Sequence, residues 1–295
     1  MARKFIDKRL RGLQDEMERF EADLRAKFKD LVTRPPAEQF AAFRGILATL
    51  ASIRSRVSIF ATSQLQTFYR ETLVEIAKRL SKAGLRVDPT VTATATLELG
   101  RGMLADVDRA LASVRVLAQR GLDREYVTML SPSQIATLGP DELVPTAAKA
   151  FLAKASEHQV SVPLSGGRSR AFGLAYYMSL VLASAFGRAR VKASTDVAGT
   201  YGLDLVRVSP NPSTIGDFCD AYAGKVFSIS GNHPVAPPIA QTVGGGPPFH
   251  VNCLHWVEPL PEDYEPKASE IVPRKWLARN ASEEARIVKD WGRSR

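Results

Sequence analysis

Two cysteines and three of the chain's four histidines fall between Asp217 and Pro259, a short part of 295 residues. Thiolate sulfur and imidazole nitrogen are the donors that Zn2+ takes in tetrahedral sets, and ligands close together in sequence lower the cost of ordering a site. His250-x-x-Cys253 has such a spacing, Cys219 supplies a third donor, and His255, Asp217, Asp220 or His233 could supply a fourth. A complete first pair would carry another cysteine three residues before Cys219, where the chain has Gly216. One reading makes Cys219, His250, Cys253 and His255 the ligands of a structural zinc. Two other readings use the same residues. In one the cysteines are small buried hydrophobes and His250 bonds to backbone carbonyls; in the other they form a Cys219–Cys253 disulfide or include a reactive thiol.

Catalysis by these groups is not expected. A nucleophilic thiol needs a base within hydrogen-bond reach and a third group that orients the base. His250 and Cys253 share one tight loop, a poor arrangement for bracketing a substrate cleft. The glycine run 244–246 leads into Pro247 and Pro248 rather than into a helix, so it does not read as a phosphate cradle.

The elements that must position these residues read as follows. After the helix that ends near Gly199, a short strand is expected over 204–209, then a turn, a short helix holding Cys219, and a second strand over 225–230. The segment 234–248 carries five prolines and three adjacent glycines, which predicts an extended loop running to His250. Upstream, Ile6, Leu10, Leu13, Met17, Phe20, Leu24, Phe28 and Leu31 alternate at four and three residues, the seam of a long helix or coiled coil. Its first six members, Ile6, Leu10, Leu13, Met17, Phe20 and Leu24, are the expected partner-binding residues. Pro35-Pro36 ends this helix, a second runs from 37 to about 83, and Gly84 stands where a C-terminal cap belongs, so an antiparallel pair is expected. A further helix is expected over about 92–120. Pro132, Pro140 and Pro145 then punctuate shorter helical pieces, with Ser131 and Ser133 as candidate caps. SVPLSGGRSR reads as a hinge or loop between 162 and 170, followed by a helix over about 169–199.

The fold class expected is mainly α with a small α+β C-terminal domain: long N-terminal helices, short strands, and a Pro/Gly-rich loop near the Cys/His residues. The divisions expected are a long-helix hairpin over 1–85, a helical middle region over 86–165, the α+β domain over 166–263 and a basic tail over 264–295.

Hydrophobic residues make up 45% of the chain, enough for a substantial core, and the formal net charge is +9. The basic residues are dispersed, so any DNA contact would be directed at phosphates and not specific in sequence. MARKFIDKRLRG places charges where a signal peptide is apolar, so synthesis in a reducing cytoplasm is expected. The most apolar stretch, 172–186, is too short to span a bilayer and reads as a buried helix, with no membrane partner expected.

The order of motifs carries a family likeness. The helix LAYYMSLVLASAFGRARVKAS is followed by GLDLVRVSPNPSTIGDFCDAYAGKVFSISG and then PPFHVNCLHWVEPL. This order resembles phage minor capsid proteins of the Mu F-like head-morphogenesis type. The matching positions are Tyr176, Tyr177 and Met178, then 202–208, Cys219, Tyr222, 224–230, His250, Asn252, Cys253 and His255. Gly216, Val251 and Leu254 depart from the family's usual cysteine, proline and arginine. The resemblance covers about 170–262. It implies a structural, non-enzymatic, low-copy component of a tailed-phage head. Such a protein is made in the bacterial host cytoplasm and resides in the virion. It docks on portal or major capsid subunits within a symmetric assembly and faces packaged DNA. A metal-binding DNA-binding or nuclease-like effector packaged with the genome is the alternative.

Overall fold

A computed structural model describes residues 2–88, 94–123, 146, 150, 160–163, 169–210, 218–249, 253 and 255–293. For 2–10, 36, 94–97, 160–163, 169–172 and 292–293 it describes the backbone alone. The fold is mainly α with a small antiparallel sheet near the C-terminus. The chain divides into two compact units: Asp7–Phe60 with Gly102–Ser179, and Met1–Ile6 with Ala61–Arg101 and Leu180–Arg295.

The first unit is built on long helices. Helix α1 (Ala2–Thr33) buries Leu13, Met17, Leu24, Phe28 and Leu31. It stops because Pro35 disfavours helix at the residue before it. Pro36 then opens α2 (Pro36–Phe60) at the position where a missing N–H costs nothing. The Pro35 carbonyl accepts the first-turn N–H groups of Glu38 and Gln39. The two helices run antiparallel, as the opposed order of their contacts requires. Near the turn, Lys27 and Asp23 meet Thr49; farther from it, Arg56 bonds Glu16 at 2.7 Å. Helix α4 (Thr94–Leu122) lays down Met103, Val107, Ala110, Leu111, Val114 and Ala118 at helical spacing, and its Asp108 pairs with Arg54 of α2.

The apolar seam of α1 is thus covered by this chain itself. Leu13, Met17 and Leu24 are buried within the chain, and Phe20 is half-buried. Periodicity predicts that a stripe is covered without saying by whom. Ile6 and Leu10 lie in α1, where only the backbone is described.

The stretch 160–172 corrects the expectation of a hinge. Strands β1 (Val160–Pro163) and β2 (Ser169–Phe172) form an antiparallel hairpin with Val160 opposite Phe172 and Pro163 opposite Ser169. The β-branched residues of Val-Ser-Val favour strand, but three residues are too few for alternation to stand out beside Gly and Pro. The following helix, α5 (Leu174–Thr200), therefore starts later than expected, and the Glu21 carboxylate accepts the N–H of Ala175 in its first turn at 3.1 Å. The expected pieces around Pro132, Pro140 and Pro145, and the caps Ser131 and Ser133, lie outside the described residues.

In the second unit, α3 (Gln66–Lys82) follows α2 through one π turn, Ala61–Leu65. It ends as expected at Gly84, whose φ of 89° suits glycine, with Leu85 N–H bonding the Leu80 carbonyl at 3.0 Å. Helix α3 packs on α5 through Tyr69, Leu73, Ile76 and Leu80 against Ala193, Val197 and Ala198. The Tyr69 hydroxyl donates to Asp196 at 2.5 Å, and burial together with that carboxylate holds the phenol well above its usual pKa.

Strand β3 (Leu205–Val208) is the centre of the sheet, flanked by β4 (Val226–Ser228) and β5 (Val257–Pro259), both antiparallel to it. Val206 faces Phe227 on one side and Pro259 on the other. The first two strands are those expected. The third was not, because Val-Glu-Pro is too short and too polar to read as a strand. The C-terminal segment folds back on this sheet region through Val272, Trp276, Ala278 and helix α6 (Ala281–Arg293), whose Ile287 is buried. Among the described residues, no helix is long and apolar enough to cross a membrane.

Candidate metal centre

The end of β3 fixes both segments that carry the candidate ligands. On one side, Val208 N–H donates to the Lys225 carbonyl, and Gly224 N–H donates to the Val208 carbonyl at 2.9 Å. These bonds anchor the 3-10 turn Phe218–Tyr222, which holds Cys219. On the other side, Ser209 N–H donates to the Trp256 carbonyl at 2.8 Å while the Ser209 hydroxyl accepts the Trp256 N–H at 3.2 Å. That extra rung sets the segment carrying Cys253 and His255. The Cys253 carbonyl also lies against α5 beside Gly187.

Cys219, Cys253 and His255 are 1%, 3% and 2% exposed. Their candidate ligand atoms all lie within 4.8 Å of one another. Cys253 Sγ and His255 Nδ1 are 3.5 Å apart. That is a hydrogen-bond distance between thiol and imidazole, and it is close to the ~3.6 Å edge of a zinc tetrahedron built from bonds of about 2.3 and 2.05 Å. The cysteines are not joined in a disulfide. His255 Nε2 is buried and has no hydrogen-bond partner, an arrangement that costs about 1–3 kcal/mol unless something else meets it. The donor set suits a borderline-soft cation and is wrong for magnesium or calcium, which take oxygen.

Of the four expected ligands, the structure brings Cys219, Cys253 and His255 together. His250 and Asp217 lie outside the described residues. Asp220 shares the 3-10 turn with Cys219 but is not part of the three-residue group. Nor is His233, whose Nδ1 accepts the N–H groups of Val235 and Ala236 and so shapes its own turn.

Aromatic rings close the site. Phe249 stands 6.0 Å from the His255 ring and 4.7 Å from Tyr222, centre to centre. The Tyr222 hydroxyl donates to the Trp276 carbonyl at 2.8 Å and accepts the Val243 N–H at 3.3 Å. Burial pushes its pKa up to about 12, with the Val243 N–H working downward and the charge of Glu284 upward.

One polar group beside the site escaped the sequence reading. Arg190 of α5 is buried, with its guanidinium 3.7 Å from the Trp256 ring centre and 3.3 Å from Glu75. Burial lowers its pKa and the Glu75 carboxylate works against that. A cavity of about 150 Å3 lies here, lined by Glu75, Arg79, Arg190, Trp256 and Leu260. In Arg-Ala-Arg-Val-Lys nothing distinguishes the arginine that turns inward from those that do not.

Comparison with family models, with curated proteins and with solved structures finds no match to this chain.

Proposed function

We propose that this chain is a structural minor component of a tailed-phage head or related particle, docking on portal or inner shell subunits and facing packaged DNA. One observation carries the reading. Motif residues far apart in sequence, within 202–208, 218–222, 224–230 and 253–257, meet in a single core that joins Val206, Val208, Cys219, Tyr222, Phe227, Cys253 and Val257. A set of motifs that shares a core folds as a unit, which favours a common origin for their order over coincidence. The net charge of +9 suits a protein placed beside polyphosphate. With Leu13, Met17 and Leu24 buried, docking falls to the outer faces of the helices, where Phe40, Ile59 and Val116 are exposed.

Within this reading Cys219, Cys253 and His255, with His250 as the fourth ligand expected from the sequence, hold a structural zinc. When bound, zinc supplies a cross-link between two short segments that have little regular structure of their own. The chain's residues do the rest: Ser209 and Val208 fix the backbone, and Phe249 and Tyr222 keep water away from the thiols.

The test is quantitative mass spectrometry of purified particles from the source of this chain. A low, fixed ratio to the major shell protein is expected. Absence from particles, with abundance in the lysate, would overturn the reading.

A further inference from the structure

We infer that metal at Cys219, Cys253 and His255 holds the C-terminal segment 264–293 on the sheet region, so that loading the metal docks this segment and losing it lets the segment go. The inference rests on the zinc reading above.

The argument begins with what the segment touches. Val272, Ala278 and Ile287 belong to the same buried core as Phe218, Cys219 and Cys253, with Trp276, Val288 and Trp291 packed at its edge. Trp276 and Trp291 stack edge to face at 5.2 Å. Polar contacts follow the same path. The Trp276 carbonyl accepts from Tyr222, at the end of the turn that carries Cys219. Ala278 N–H donates to the Gln241 carbonyl at 2.7 Å, and the Glu284 carboxylate accepts the Gly244 N–H at 3.1 Å. Nearer the sheet, Arg207 bonds Glu270 at 2.8 Å and Lys225 Nζ donates to the Ser269 carbonyl at 2.6 Å.

The surface that receives the segment is itself weakly self-supporting. The 3-10 turn is five residues long, and 3-10 hydrogen bonds are poor in geometry. The segment with Cys253 and His255 is not in a strand until Val257. Without a metal, the turn that carries Cys219 and the segment that carries Cys253 and His255 lose the cross-link between them. Their separation displaces Phe249 and the turn Phe218–Tyr222, and with them the seat of Trp276 and Ile287. Coupling of this kind is reciprocal: whatever factor the metal adds to docking, docking adds to metal affinity.

The experiment uses the full chain loaded with zinc. Metal content is measured by elemental analysis, and hydrogen exchange is followed before and after a strong chelator, then after zinc or magnesium is returned. One zinc per chain is expected. Chelation should speed exchange over 264–293 at least tenfold, zinc but not magnesium should restore it, and the α1–α2 amides should keep their rates. Ile287→Asp, which puts a charge on the buried face of α6 and replaces no ligand, should weaken zinc binding at least several-fold. If zinc binds but its removal leaves 264–293 protected, or loosens α1–α2 equally, the coupling is overturned while the site stands. If no zinc is found, the site and the coupling fall together.

Discussion

The helical unit and the sheet region solve the same problem with different materials. In the helical unit most backbone groups are satisfied along long helices, and burial is shared among many similar side chains such as Leu13, Leu24, Phe28, Ile46 and Ile53. The ion pairs of Arg54 with Asp108 and Arg56 with Glu16 sit at its rim. In the sheet region the strands are three or four residues long, so the ladder supplies few bonds. Single side chains fix the backbone instead: Ser209 on Trp256, Tyr222 on Trp276, Glu284 on Gly244. Asp204 accepts Ser230 N–H and the Ser228 hydroxyl, both at 2.7 Å, and these bonds outweigh burial and hold its carboxyl below the usual range. One region is redundant and the other is specified group by group.

The largest effects should come from the two cores and should stay local. Phe227→Ala removes a fully buried ring from the sheet and should cost about 3–5 kcal/mol; Leu24→Ala in α1 should cost about 2–5 kcal/mol. Denaturant melts give the totals. Hydrogen exchange should place the first loss over 205–293 and the second in α1 and α2, and a change spread evenly over both would break the comparison.

A smaller effect isolates a single polar group. Tyr222→Phe leaves the Trp276 carbonyl and the Val243 N–H without their partner, for about 1–3 kcal/mol. It also tests a sign. Because the folded pKa is raised above the unfolded value, the phenol's contribution is fully present below pH ~10 and is lost as pH climbs through about 12. Melting temperature against pH should therefore fall in that window for the parent chain and stay flatter for the variant. Equal slopes would mean that the hydroxyl is not held as described.

The smallest effect belongs to the rim of the helices. Arg54 and Asp108 are 54% and 44% exposed, so Arg54→Ala should barely move the denaturant midpoint, and any change should vanish at high salt. A large drop in the midpoint would show that the helical unit is not redundant after all.

The same contrast governs what could be read from the residues alone. Long helices announce themselves, since a stripe from Leu13 to Leu31, a proline pair and Gly84 each constrain the chain over many residues. Strands β3 and β4 were legible because Val-Arg-Val and Lys-Val-Phe-Ser lie between turn residues. Strands β1, β2 and β5 were not, since three or four residues define no period and two of these strands end in proline. The gathering of Cys219, Cys253 and His255 was legible as composition. The placement of Cys253 and His255 beside Cys219 depends on a rung made by Ser209, which is more than forty positions away and local reasoning does not reach.

That rung imposes an arithmetic on the chain. Ser209 clamps Trp256 by both its amide and its hydroxyl, so the residues on either side of Trp256 are counted from a fixed mark. Cys253 and His255 stand three residues and one residue before that mark and meet Cys219, so a residue inserted between His255 and Trp256 would carry both ligands as much as ~3.5 Å along the chain, away from the turn that holds Cys219. The length of this short stretch is therefore fixed more strictly than the identity of the residues that fill it.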